Sequence, residues 1–332
     1  MSTETVNATM FFTFQCQLSL SYYWFGEPQR SAMIVAVVFS LVLSPLIVCT
    51  NILVLIAILR NRVLARVPPN ILLIGTAVSD ACVGLFSVPL FATNFFNAFI
   101  SREYNCVLYT WQIGIIHYFS LVSFLLVLMI CVDRVLAIYM PFFYHENLHW
   151  KNYVKVTLVF YIFLAMYVCI TITVPAWFAL LAIEATVFVA VVIFSSIAHL
   201  AIYYTVSKLN KTTPGFSLTC STNRRNLSEV KRQRRLLCLT FSMFASLICC
   251  YVPYVVTGIM WFMRMEHRRW LMSLNMWSYV MVVLKSLLNP ILYCCSISSI
   301  SKQVRLLVGC LKDGDTSQTT SNNNNNNNTQ NT

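Results

Sequence analysis

One stretch decides the fold: Tyr109–Pro141, YTWQIGIIHYFSLVSFLLVLMICVDRVLAIYMP. From its start to Val132, the only titratable side chain other than tyrosine and cysteine is that of His117. About 24 mostly apolar residues rise roughly 36 Å as an α-helix, which is enough to cross a bilayer. The adjacent acid and base, Asp133 and Arg134, then lie where this helix leaves the lipid. The stretch therefore predicts a transmembrane helix around which the rest of the chain packs.

The composition of the whole chain is typical of an integral membrane protein. Its 332 residues are 58% hydrophobic and only 10% charged, and the mean hydropathy is +0.70. Soluble globular proteins carry roughly 25% charged residues. The net charge of +12 comes from basic residues in short loops between apolar runs. That pattern indicates membrane topology and argues against a nucleic-acid partner.

Seven segments are long and apolar enough to span a membrane, which predicts an all-α bundle of seven transmembrane helices. They are Ser31–Leu59, Pro69–Phe96, Tyr109–Ile138, Val156–Pro175, Phe178–Ser207, Leu236–Phe262 and Leu271–Cys295. The amphipathic stretch 298–311 predicts an eighth helix in the membrane interface, with Cys310 as a candidate palmitoylation site. The predicted domains are an extracellular N-terminus (1–30), the seven-helix domain (31–295), the amphipathic helix (296–311) and a disordered cytoplasmic tail (312–332), which holds a run of asparagines.

Basic residues divide unevenly between the two sets of loops. The richer set is Arg60, Arg62, Arg66, Arg134, Lys151, Lys155, Lys208, Lys211, Arg224, Arg225, Lys231, Arg232, Arg234, Arg235, Lys302, Arg305 and Lys312. The poorer set is Arg30, Arg102, Arg264, Arg268 and Arg269. The positive-inside rule places the richer set in the cytosol and the N-terminus outside. The sequon at Asn7 then predicts a glycosylation site. The two outer cysteines, Cys16 and Cys106, either form a disulfide or remain free thiols.

Two ionisable residues and two prolines interrupt the apolar segments. Asp80 and Lys285 lie near the centres of the second and seventh segments. Because a lone charge in a membrane is costly, we expect them to face the bundle interior and to pair. Such a pair is either a fixed packing element or a switch whose pairing changes between two states. Pro253 and Pro290 predict kinks, either static bends or hinges.

Five motifs in order resemble those of the class A (rhodopsin-like) G-protein-coupled receptors. They are Asn51 within TNILV, Asp80 within AVSD, Asp133-Arg134-Val135 followed by Pro141-Phe142, Cys250-Tyr251-Val252-Pro253, and Asn289-Pro290-Ile291-Leu292-Tyr293. Each motif is weak alone, but five on the expected segments identify a specific resemblance that covers about Ser31 to Cys310. The resemblance implies a plasma-membrane receptor that passes the binding of an extracellular ligand to a heterotrimeric G protein.

The resemblance also implies roles for the matching residues. Arg134, held by Asp133 at rest, would be released to receive the G protein, and Phe142 would contact it. The residues expected to couple or switch are Asp133, Arg134, Phe142, Tyr204 (or its neighbour Tyr203), Tyr251, Pro253, Asn289, Pro290 and Tyr293. An interior polar site would be formed by Asn51, Asp80, Ser123 and Lys285, beside Asn289. Many relatives bind sodium there, and we expect the ammonium of Lys285 to replace that ion.

The ligand and the subfamily stay open at this stage. The residues expected to line the ligand pocket are Phe91, Ile116, His117, Ser120, Phe188, Tyr254 and Tyr279. No acid lies on that face of the third segment, and Val283 occupies the position of a retinal-binding lysine, so the pocket favours a lipid, a neutral organic molecule or a peptide side chain. The short outer loop after the fourth segment resembles that of melanocortin receptors. Other stretches resemble adenosine, aminergic and odorant (chemosensory) receptors.

Other function classes fit less well. A seven-helix transporter would show internal repeats and more membrane charges than Asp80 and Lys285. No metal-ligand spacing and no nucleophile–base motif appears, so we expect neither an enzyme nor a bound metal or cofactor. A receptor-like scaffold that does not signal is a third alternative.

Overall fold

The computed structural model describes residues 27–97, 106–173, 177–212, 221–263 and 269–309. In these ranges seven long helices follow one another: α1 (Glu27–Leu59), α2 (Pro68–Phe96), α3 (Cys106–Tyr139), α4 (Trp150–Thr173), α5 (Trp177–Thr212), α6 (Ser221–Phe262) and α7 (Arg269–Ser296). A further helix, α8 (298–309), follows α7 after one residue. Short helical turns at Arg62–Ala65 and Pro141–Asn147 follow α1 and α3.

Each of the seven long helices contains a window that is long and apolar enough to cross a membrane. The predicted all-α fold with seven spanning helices is therefore confirmed, and the described residues contain no strand. Several helices extend past the predicted apolar limits. For example, α6 begins at Ser221, whereas hydropathy placed the start of the span at Leu236. The reason is that hydropathy marks only the lipid-crossing part, while a helix continues into water through polar residues that favour helix formation.

The core is formed by buried apolar side chains of α1, α2, α3, α6 and α7, and α2 packs closely against α3. A Cβ at Gly75 of α2 would lie 2.8 Å from a methyl carbon of Leu126 on α3, so the absent side chain lets the two helices approach. Val122 and Leu126 are almost fully buried. Apolar side chains such as Phe39 and Ile162 are exposed. In a membrane such side chains face lipid and need no protein partner.

The half of α2 that ends at Phe96 is preceded by a π-helical turn over Val83–Ser87. The N–H of Val88 donates to the carbonyl of Val83, five residues earlier. Pro89, which follows, has no N–H, and its ring would crowd a regular α-turn. The wider turn brings Ser87 and, further along, Phe91 into the bundle, where both are buried.

The helix α8 is attached to the bundle by one side of its surface. Ile300 is fully buried and belongs to the core, and Val304 packs against that core. Val308, near the end of α8, is about half exposed. The attachment therefore fixes the first half of α8 most firmly against the seven helices.

Candidate functional site

The centre of the bundle holds a buried carboxylate surrounded by polar groups. Asp80 is 1% exposed. It accepts hydrogen bonds from Ser286 Oγ (2.9 Å) and Asn289 Nδ2 (2.6 Å), with Ser123 Oγ at 3.4 Å. The Nζ atom of Lys285 lies 3.6 Å from Asp80 Oδ1 and also donates to Ser123 Oγ. The predicted pairing of Asp80 with Lys285 across α2 and α7 is therefore present.

Asn51 lies beside the interior polar site through contacts with backbone atoms. Asn51 does not bond to Asp80; its Nδ2 donates to the backbone carbonyls of Ile47 (2.9 Å) and Ser286 (3.0 Å). It therefore joins α1 to the backbone of α7 beside the site. Ser286 was missed because a serine within an apolar segment carries no signal of its own. Only the turn of α7 shows that its hydroxyl reaches Asp80.

The acid and base at the end of α3 form an ion pair with each other. Asp133 is 2% exposed, and Arg134 Nε donates to its Oδ2 over 2.8 Å. The other carboxylate oxygen accepts hydrogen bonds from the hydroxyls of Tyr144 (3.0 Å) and Tyr153. Burial and the nearby negative charge of Asp133 raise the pKa of Tyr144 to about 12, so this phenol is a donor at neutral pH. Neither tyrosine was predicted, because they lie on elements that only the fold brings to α3.

Two tyrosines expected to take part in coupling differ in exposure, one being buried in the bundle and the other lying on its surface. Tyr293 is fully buried, and a hydrogen bond of 2.7 Å joins its hydroxyl to that of Thr76 on α2. Tyr204 is 70% exposed, so this structure does not bring it to Arg134. The neighbouring Thr205 instead shares a 2.9 Å hydrogen bond with Tyr139 at the end of α3.

The remaining coupling residues lie at two levels of the bundle. Phe142 projects into open space at 85% exposure, just past α3. Tyr251 is buried, and its ring stacks on that of Phe188 with the ring centroids 6.4 Å apart. Phe188 in turn stacks on Phe124 at 5.6 Å, so aromatic rings connect α3, α5 and α6. Pro253 and Pro290 lie inside α6 and α7, which continue past them.

Most of the predicted pocket residues lie on helices that face one another towards the other end of the bundle from Arg134. The rings of Phe91 and Tyr279 stack at 4.2 Å, and the hydroxyl of Tyr279 donates to the backbone carbonyl of Ser87. A hydrogen bond of 3.0 Å joins His117 Nε2 and the hydroxyl of Tyr254. Ile116 and Ser120 are also buried on the inner face of α3.

A buried polar pair lies near this region, and its α3 member, Gln112, was not predicted from the sequence. Asn94 on α2 and Gln112 on α3 are buried, and Asn94 Nδ2 donates to Gln112 Oε1 over 2.6 Å. The Oδ1 atom of Asn94 is buried without a hydrogen-bond partner. Leaving a buried acceptor without a hydrogen bond costs free energy. A bound molecule that donates a hydrogen bond to this oxygen would therefore be stabilised. The π-helical turn, which sequence did not predict, is what directs this face of α2 inwards.

Several predicted modification sites fall outside the described residues. These are the glycosylation site Asn7, the cysteine Cys16 and the palmitoylation site Cys310. Cys106 begins α3, but its expected partner is Cys16. The disulfide, the glycan and the lipid anchor therefore stay predictions.

Comparison with known proteins gives one family match. Residues 50–180 match the model of the family described as "7 transmembrane receptor (rhodopsin family)". The matched region runs from the second half of α1 to the start of α5 and includes Asp80, Asp133 and Arg134. A search of curated proteins found no match. The match does not distinguish among the receptor subfamilies named above.

Proposed function

We infer that this chain works as a rhodopsin-like receptor, the class that its family match and its seven apolar helices support. Proteins of this family are receptors and not enzymes, and they signal through heterotrimeric G proteins. We propose that the chain lies in the plasma membrane with its N-terminus outside and passes the binding of a ligand to a G protein inside. The end of the bundle that carries Arg134 is then the cytoplasmic end.

The observation that carries this proposal is the buried charged site around Asp80. It joins α2, α3 and α7 at the middle of the bundle through Ser123, Lys285 and Asn289. A buried ion pair adds little net stability compared with an apolar core of the same volume, because desolvating both charges offsets most of their attraction. A site of this kind suits a switch, since a small shift of α7 changes its pairing.

The arrangement around Asp133 supports a resting state of the inner end. Arg134 is bound to its own neighbour, and Asp133 is held by two tyrosine hydroxyls. Releasing Arg134 needs a change of its side chain and loss of that ion pair, without unfolding of α3. In the proposed mechanism the freed guanidinium then lines the cavity that receives the G protein, with the exposed Phe142 at its edge.

The proposed ligand is uncharged in the part that enters the bundle. His117 is the only histidine among the predicted pocket residues, and a hydrogen bond joins its Nε2 to the hydroxyl of Tyr254. The other walls are aromatic or apolar, with Asn94 Oδ1 as a free acceptor. We propose a lipid, a neutral organic molecule or a peptide side chain; an amine fits less well, because the described part of α3 places no acid among the predicted pocket residues.

The experiment that tests the proposal measures nucleotide exchange without agonist on a panel of purified G proteins. Wild type is compared with Arg134→Ala at matched surface expression. Lys151→Ala, which removes an exposed cation from the start of α4, is the control. We expect basal exchange to fall to background in Arg134→Ala and to be kept in the control. Exchange that stays above background in Arg134→Ala would contradict the proposed role of this arginine.

The proposed orientation has its own test. Asn7 is expected outside the cell, where the sequon Asn7-Ala8-Thr9 meets the glycosylation machinery. The wild-type chain expressed in animal cells should shift to faster gel mobility after enzymatic deglycosylation, whereas Asn7→Gln should not shift. An N-terminal epitope that antibodies reach only after the cells are permeabilised would place this end in the cytosol instead.

A further inference from the structure

A basic cleft lies where α6, α7 and α8 meet. Its volume is about 740 Å³, and it is lined by the cations Arg235, Lys302 and Arg305 together with the hydroxyls of Ser298 and Ser301. None of its lining residues is acidic. A volume of this size is within the range of pockets that hold small molecules. The cleft is separate from the ion pair of α3 and from the aromatic region described above.

The spacing along α8 explains why these groups converge. Ser298, Ser301, Lys302 and Arg305 follow one another at three- and four-residue intervals, which places them on one face of a helix. The opposite face is fixed to the core by the fully buried Ile300. The packing of Ile300 therefore fixes the rotation of α8 and directs its polar face towards the cleft.

Within the part of the chain that the structure describes, no acid neutralises the positive charge of the cleft. Among the described residues, ion pairs form between Asp133 and Arg134 and between Asp80 and Lys285, and neither pair includes a cleft residue. Three like charges around one cleft repel one another, and an anion that contacts all three removes this repulsion. The first turn of α8, where backbone N–H groups lack helical partners, also borders the cleft and favours negative charge.

We propose that this cleft binds the phosphorylated headgroup of a phosphoinositide in the cytoplasmic leaflet. The proposal rests on the proposed orientation, which puts this end of the bundle in the cytosol. Leu306, about half exposed and beside Arg305, gives the rim of the cleft an apolar side chain that an acyl chain can contact. A membrane lipid therefore fits the combination of a basic cleft and an apolar rim better than a soluble acidic peptide does. Basic pockets of this kind recognise multiply charged lipid headgroups.

The test measures lipid binding with no G protein present, so its result is independent of signalling. The purified full chain is placed in nanodiscs of phosphatidylcholine, which leave both ends of the bundle accessible whatever the cellular orientation. A fluorescent short-chain phosphatidylinositol 4,5-bisphosphate is titrated and its anisotropy is followed. We expect Lys302→Gln/Arg305→Gln to weaken binding by at least about tenfold, since each cation near a charged headgroup contributes on the order of 1 kcal/mol.

Two further variants distinguish binding in the cleft from general attraction to surface charge. Lys151→Gln/Lys155→Gln removes the same charge from exposed positions on α4 and should change binding less than about twofold. Arg235→Gln removes the one cation supplied by α6 and should weaken binding about threefold or more. Thermal unfolding of each variant checks that it is folded. Equal weakening by the α4 variant would overturn the proposal, because binding would then reflect only surface charge.

Competition experiments separate the sources of the headgroup. Soluble inositol 1,4,5-trisphosphate that competes only at much higher concentration than the lipid supports a membrane ligand. Competition by inositol trisphosphate at the same concentration as the lipid would overturn the assignment to a membrane lipid and indicate a soluble phosphorylated ligand. Phosphatidylserine binding as tightly as the phosphoinositide would overturn the proposal. Binding of a G-protein C-terminal peptide that needs Lys302 and Arg305, with no lipid binding, would also overturn it and assign the cleft to the transducer.

Discussion

Lys285→Met is the substitution that best tests how the interior polar site works. The methionine keeps an unbranched side chain of similar length, so packing in α7 changes little, but the ammonium is lost. In the wild type, Lys285 Nζ lies 3.6 Å from Asp80 Oδ1, and both side chains are about 1–2% exposed. The variant therefore leaves Asp80 buried with hydrogen-bond donors but no cation.

The structure sets the size of the expected effect. At 3.6 Å and an effective dielectric constant of about 20, the attraction between the two charges is about 4–5 kcal/mol. Breaking a buried pair by removing one partner costs about 3–5 kcal/mol. Ser286 and Asn289 still donate to Asp80, so we expect the lower end, about 3 kcal/mol. This corresponds to a fall in Tm of about 6–12 °C.

The assay is thermal unfolding of the purified chain in detergent, in sodium chloride and in choline chloride at equal ionic strength. Wild type should unfold at the same temperature in both salts, because Lys285 already occupies the cation position. Lys285→Met should be less stable and should recover part of its loss in sodium. The double variant Lys285→Met/Asp80→Asn should lose less stability than Lys285→Met, since no buried charge is left unpaired.

A matched control variant and two possible results test whether Lys285 replaces a sodium ion and stabilises Asp80. Lys151→Met removes an exposed lysine at the start of α4 and should shift Tm by no more than about 2 °C. A wild-type Tm that rises with sodium would refute the idea that Lys285 replaces the ion. A Lys285→Met variant as stable as wild type in choline chloride would refute the energetic importance of the pair.

Three further predictions follow from the contacts. Tyr153→Phe removes one donor to Asp133, so we expect a loss of about 1 kcal/mol in unfolding free energy and higher basal nucleotide exchange; unchanged exchange would argue against a restraining role. Tyr293→Phe removes the 2.7 Å hydrogen bond to α2 and should lower Tm by about 2–4 °C, while equal Tm values would mean that the bond adds nothing. Gly84→Ala should cost about 1–3 kcal/mol, because its Cβ would lie 3.1 Å from a backbone oxygen of α1. Gly75→Ala should lower the free energy of unfolding by less, since the nearest atom to its Cβ belongs to a leucine methyl group that can rotate away. A lower Tm for Gly75→Ala than for Gly84→Ala would contradict this comparison.

The amino-acid sequence by itself determined the class of fold and the identity of its charged sites. Apolar runs about 20 residues or more in length must cross lipid as helices, because backbone groups find no other partners there. The high cost of burying a lone charge in the membrane likewise predicted that Asp80 and Lys285 would face inwards and pair. These inferences needed no long-range information, since each depends on one segment and its solvent.

Only the tertiary structure decided which polar side chains complete those sites. Tyr144 and Tyr153 reach Asp133 because the chain turns back after α3, and Ser286 reaches Asp80 through the rotation of α7. Which face of the Phe96 end of α2 points into the bundle depends on a π-helical turn that periodicity does not reveal. Serine, threonine and tyrosine occur on lipid-facing and interior surfaces alike, so their partners are set by helix rotation and packing. For the same reason the cleft of Arg235, Lys302 and Arg305 exists only once α8 is fixed to the bundle by Ile300.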